Sequence, residues 1–133
     1  MKCLFVKAPF AGWIVDGVKT IEFRTRETYI RGRIGIIESG TGTVIGDVVL
    51  YTCRKSFEYP CFNWILDRPR RYKTPVPFEH KQGAMVWIDL DIDPTVQEIA
   101  PALPWQQLFR ETALCRKAQE EFLETLKNKR KSK

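Results

Sequence analysis

The segment PFAGWIVDGVKTIEFRT, residues 9–25, carries a helix start, a helix stop and a strand within one short stretch. Pro9 suits the first turn of a helix, where its missing N–H costs nothing. Phe10, Trp13 and Ile14 follow at i, i+3 and i+4, and Gly17 falls where a left-handed cap closes such a helix. Alternation then takes over, with Ile21 and Phe23 pointing one way and Glu22, Arg24 and Arg26 the other. Lys19 lies at the turn between the two, so parity does not fix its direction. A helix this short feeding directly into a charged strand is the first constraint on the fold.

Further strands follow from pattern. Residues 3–7, CLFVK, fit a short buried strand, and GRIGIIES (32–39) with TVIGDVVLYTC (43–53) form a hairpin around the turn SGTG. Gly46 inside the second run predicts a bulge or a close backbone approach. YPCFNWILD resembles a short helical or coiled excursion, and DRPRRYKTPVPFEHKQG reads as a proline-broken loop. AMVWIDLDI (84–92) is another strand, with Val86, Ile88, Leu90 and Ile92 on one face and Trp87, Asp89 and Asp91 on the other. Several short strands plus one early helix predict an α+β fold, a small mixed β-barrel and not a βαβ sheet.

After DPT the pattern changes. Pro104 begins a helical run reaching about Lys127, in which Leu108, Cys115, Phe122 and Leu126 form one apolar stripe. Such a stripe must be covered, by packing on the barrel or by self-association. The expected organisation is a barrel over 1–93, a helical extension over 94–126 and a basic, disordered tail over 127–133. A chain of 133 residues can bury such a core without staples.

The charge of +6 suggests a polyanionic partner, but its location weakens that inference. KNKRKSK at 127–133 holds five of the 22 Lys and Arg residues and no acid, so the remaining body is nearly neutral. Local asymmetry is more informative. Residues 19–33 hold Lys19, Arg24, Arg26, Arg31 and Arg33 against two acids, and 54–73 hold six bases against two acids. No apolar run is long enough to span a membrane, and the N-terminus lacks the apolar core of a secretory signal. Cys3, Cys53, Cys61 and Cys115 have no CxxC spacing, so they read as free thiols in a cytoplasmic protein. His80 is the only histidine; its convergence with Cys53 and Cys61 would be needed for a metal site, and neither a metal nor a cofactor is expected.

What remains as a chemical constellation is Lys19, Glu22 and Arg24. A lysine beside a carboxylate has its proton and orientation controlled, while arginines on one strand face can fork onto phosphate. From spacing alone a solvated, ion-paired sheet face is the favoured reading. The segment resembles the signature of the ASCH domain family, a proline-started short helix and then G-x-K-x-x-E-x-R, here Gly17, Lys19, Glu22 and Arg24. TVIGDVVL at 43–50 and KQGAMVWIDL at 81–90 also resemble the family pattern, so the resemblance covers residues 2 to about 92.

The resemblance implies a PUA-like barrel that binds RNA, single-stranded nucleic acid or a nucleotide-like small molecule in a cleft beside the motif. It nominates Lys19, Glu22 and Arg24, with Lys7, Lys81 and Gln82 as neighbours. Arg26 shares the strand face of Arg24 and joins it as a phosphate contact, and in a nucleic-acid-binding reading Trp64 or Tyr51 stacks on a base. Some members of the family are enzymes on RNA or nucleosides. The branch that hydrolyses acylated cytidine carries a threonine where this chain has Glu22. A hydrolase would use Lys19 and Glu22 as its acid/base pair. Oligomeric state is not legible in these residues.

Overall fold

The computed structural model describes residues 1–80, 83 and 86–129, and the backbone alone at 130 and 131. Six strands form one sheet: β1 (Lys2–Val6), β2 (Ile21–Arg24), β3 (Gly32–Glu38), β4 (Thr43–Lys55), β5 (Phe62–Pro77) and β6 (Trp87–Asp89). Their order is β2-β5-β4-β3-β1-β6, with β1 and β3 parallel and the other neighbours antiparallel. Helix α1 (Phe10–Val15) joins β1 to β2, and α2 (Trp105–Lys131) closes the chain. The mixed α+β class is as the pattern predicts. The closed barrel is not: among the described residues the end strands β2 and β6 do not pair with each other. The sheet stays open, and α2 packs over the α1–β2 turn, where Gln119 accepts from Lys19.

The centre of the sheet is buried on both sides. Ile34 and Ile36 of β3 join Leu4, Ile14, Val48 and Trp64 in one cluster, while Ile37 joins Cys3, Val44, Tyr72 and Ile88 in another. Strands covered on both faces become continuous apolar runs, which is how β3 and early β4 read. Gly46 both bulges and permits close approach: the β4–β5 register shifts there, and a Cβ on it would meet the Arg70 carbonyl oxygen at 2.2 Å.

Residues 62–77 correct the sequence reading, because they form one long strand where an excursion and a loop are predicted. The prolines are accommodated at the margins. β2 covers only Phe62–Ile65, so the prolines beyond lie where β5 has β4 as its single neighbouring strand. Pro69 falls at a register break between Asp67 and Arg70, beside Arg68 at φ +51°. A proline costs no ladder bond at such places.

Much of the basic segment is consumed by the fold. The buried Asp47 carboxylate pairs with the Arg33 and Arg70 guanidinium groups, and Tyr72 donates its hydroxyl to it at 2.6 Å. Arg71 forks onto Asp16 at 2.6 and 2.8 Å, fastening the end of α1 to β5, and Lys73 pairs with Glu98. These cations are partnered within the protein and add little to the field offered to a polyanion.

Candidate ligand cleft

The α1–β2 junction places the motif. Gly17 adopts φ +79°, the left-handed cap that the sequence predicts. The N–H groups of Val18 and Lys19 both donate to the Trp13 carbonyl, at 2.9 and 3.0 Å, so the chain turns sharply off the helix end. That turn drives the Lys19 side chain inward, where it is only 3% exposed, and Glu22 is 6% exposed. The charged face of β2 is therefore the covered one, and the reading of a solvated face fails. Parity establishes which residues share a face; it does not say which face is roofed.

The roof is α2. Lys19 Nζ donates to Gln119 Oε1 at 2.7 Å and lies 3.7 Å from Glu22 Oε1. It also sits 4.7 Å from the Phe23 ring centre and 5.3 Å from that of Phe10, within cation–π range. Arg24 donates through Nε to Glu22 Oε2 at 3.0 Å and through its terminal nitrogen to the Phe5 carbonyl at 2.8 Å. Glu22 thus links two cations, one buried and one part-exposed. Desolvation dominates at Lys19 and holds its ammonium below the usual lysine value of 10.5, against the raising effect of Glu22. Cys115, on the buried face of α2, has its thiol pushed up by burial, with the charge of Lys19 opposing.

These groups border a cavity of about 380 Å³. Its wall includes Phe5, Lys7, Phe10, Lys19, Glu22, Phe23, Arg24, Gln119 and Phe122. The Lys7 ammonium is exposed and makes no ion pair or hydrogen bond with the described residues. Of the nominated residues, the structure thus brings Lys7, Lys19, Glu22 and Arg24 to one cavity. Arg26 is not part of that wall; it lies past the end of β2, exposed, with its carbonyl accepting from Trp64 Nε1. Lys81 and Gln82 lie outside the described residues. Trp64 is buried in the core and carries Arg24 at 5.7 Å, so it is closed to a base, whereas Tyr51 is exposed at a β4 bulge away from the cavity. Among the described residues no three His, Cys, Asp or Glu side chains converge as a metal site would require.

Sequence reasoning missed Gln119 and Phe122, and missed Phe10 and Phe23 as wall residues. The signal at Gln119 is its register. Glu111, Cys115, Gln119 and Leu123 recur every four positions, the row that docks on α1 and the α1–β2 turn. Two members are polar because their partners are: Trp13 donates its indole N–H to Glu111 at 2.7 Å, and Lys19 donates to Gln119. Leu108 and Phe122 of the expected stripe instead remain 37% and 40% exposed.

A profile of the ASCH domain matches residues 4–86. The chain belongs to the ASCH domain family. A crystal structure of a tyrosine-to-phenylalanine mutant of ZmASCH, from Zymomonas mobilis, superposes with a TM-score of 0.56. That match is 18% identical and covers 73% of this chain and 98% of the other, a likeness of fold. No curated protein sequence matches the chain. The ASCH match ends before α2 begins, so Gln119 and Phe122 complete the cavity from outside the family domain.

Proposed function

We propose that this ASCH protein binds an unpaired nucleotide of RNA in the cavity between β2 and α2. The observation that carries the reading is convergence: three cations, one carboxylate and the Phe10 and Phe23 rings border one cavity of nucleotide scale. At about 380 Å³ it falls at the small end of ligand pockets and is far too narrow for a duplex. Lys7 and the exposed part of Arg24 supply cations for phosphate, and the aromatic rings supply faces for a base. Lys19 and Glu22 form the floor, where a carboxylate acceptor can receive amino or ring N–H donors of a base. The family association with RNA agrees with this chemistry.

The reading predicts that Lys7→Ala and Arg24→Ala weaken binding to short single-stranded RNA, and that affinity falls steeply with salt in fluorescence anisotropy. Lys7 is the cleaner variant, since its ammonium makes no ion pair or hydrogen bond among the described residues. RNA retention that is flat across a salt series and indifferent to both substitutions would refute the assignment.

The desolvated Lys19 motivates a second reading, hydrolysis of a modified nucleoside or of RNA. A lysine held below its usual pKa has a more available lone pair, and Glu22 at 3.7 Å would exchange its proton through one water or a small approach. Against it, Glu22 replaces the threonine of the hydrolysing branch and is engaged by Arg24. Mass spectrometry of a nucleoside panel decides: this reading requires a product that wild type forms and Lys19→Ala does not.

A further inference from the structure

A second hollow, of about 620 Å³, opens beside the cavity and belongs to no motif. The β4–β5 turn, the end of β2 and the C-terminal half of α2 form it, through Thr25, Lys55, Phe57, Tyr59, Phe62 and Lys127. Phe57 stands with its whole side chain in solvent, an arrangement that gains nothing for stability. Tyr59 donates its hydroxyl to Glu124 and carries the Lys127 ammonium 6.0 Å from its ring centre. The Lys55 ammonium makes no ion pair with the described residues, although Glu58 also borders the hollow.

The two spaces are consecutive along the same pair of elements. Phe23 and Arg24 of β2 border the cavity, and Thr25, the residue after the strand, borders the hollow. On α2, Phe122 borders the cavity and Lys127 the hollow, about 7.5 Å further along the helix axis. Phe62, the β5 partner of Arg24, belongs to the hollow. Between them lies Arg24, and Arg26 stands one residue beyond Thr25. In order along these elements come a base-sized space, cations, and an exposed aromatic ring beside lysines.

We propose that the hollow is a second nucleotide subsite, in which Phe57 stacks on the base next to the one in the cavity and Lys55 and Lys127 meet its phosphate. The ligand is then a single-stranded RNA of at least two nucleotides and not a free nucleotide. The inference rests on the cleft reading above and deepens it. Stacking on an aromatic platform is sequence-tolerant, so this subsite adds affinity while the cavity selects the base.

The test compares a labelled RNA pentanucleotide of randomised sequence with each of the four ribonucleoside 5′-monophosphates. The proteins are wild type, Phe57→Ala, Lys55→Gln/Lys127→Gln and Lys7→Ala. Phe57 is wholly exposed, so its truncation leaves the fold intact. The proposal expects Phe57→Ala to weaken pentanucleotide binding by about 5- to 150-fold and leave monophosphate binding unchanged. It expects the double lysine variant, which gives up one phosphate contact, to flatten the slope of log affinity against log salt by about 0.7. Pentanucleotide binding that depends on Lys7 but is unaffected by Phe57→Ala and by the lysine pair overturns the subsite and leaves the cleft standing. Binding of neither probe to wild type overturns the cleft, and the subsite with it.

Discussion

Replacing Glu22 by glutamine tests whether the buried charge group is built as described. The substitution preserves size and leaves one acceptor, but it removes the negative charge between Lys19 and Arg24. At 3.7 Å the Lys19–Glu22 attraction is gross about 4–5 kcal/mol for an effective dielectric near 20. Arg24 is part-exposed, so water screens its share. Relief of the carboxylate's own desolvation offsets part of the loss, giving a net destabilisation of about 3 kcal/mol, at the low end for breaking a buried pair. In urea unfolding followed by tryptophan fluorescence this moves the midpoint down by about 2 M.

The pH dependence makes the test specific. Lys19 is held below 10.5 in the folded state, so its burial penalty is fully present at neutral pH. The penalty is relieved as pH rises through the folded value toward 10.5, because the native state sheds the proton first. Glu22 raises the Lys19 value, so without it the relief begins at lower pH. The deficit of Glu22→Gln relative to wild type should therefore be largest near pH 7 and narrow toward pH 10. A midpoint shift under about 0.3 M, or a deficit that is constant with pH, would refute the buried coupling.

Other parts of the structure can be tested independently. Gln119→Leu removes the acceptor of the Lys19 ammonium and should cost about 1.5–3 kcal/mol in chemical denaturation, the range for a hydrogen bond to a charged group. Gly46→Ala places a methyl 2.2 Å from the Arg70 carbonyl and 2.7 Å from Val15, and should lower stability by about 3 kcal/mol, seen as a fall in Tm. Tyr72→Phe leaves the buried Asp47 short of one donor and should cost about 1–3 kcal/mol by the same measurement. In iodoacetamide labelling at pH 7.5 read by mass spectrometry, half-buried Cys53 should react first. Cys3, buried with its thiol pushed up to about 11, and Cys115 should stay protected until the chain unfolds.

What the sequence discloses follows the physics of each element. The α1–Gly17–β2 turn and the β3–β4 hairpin are local: cap, glycine and alternation are all written within a few positions. β5 is not local. Its prolines and arginines describe a loop until one knows which edge lacks a strand partner and which carboxylates, Asp47 and Asp16, neutralise it. The same limit applies to the cleft. Glu22 and Arg24 share a face by parity, but their burial depends on a helix whose docking row includes Glu111 and Gln119. Polar residues matched to polar partners blur an apolar stripe, so Leu123 and not Phe122 turns inward. The exposed Phe57 carries no periodic signal at all.

The hydrogen bond from Lys19 to Gln119 spans one hundred residues of chain. During synthesis the motif leaves the ribosome early, and at about 5–20 residues per second its cover follows about 5–20 s later. For that interval Lys19, Glu22 and the apolar floor around them have no roof, and the cavity does not yet exist. The ability to hold a ligand there is therefore acquired only when α2 docks. A ribosome that stalls after the ASCH domain, before the helix, would display the whole family motif and still lack the finished cleft.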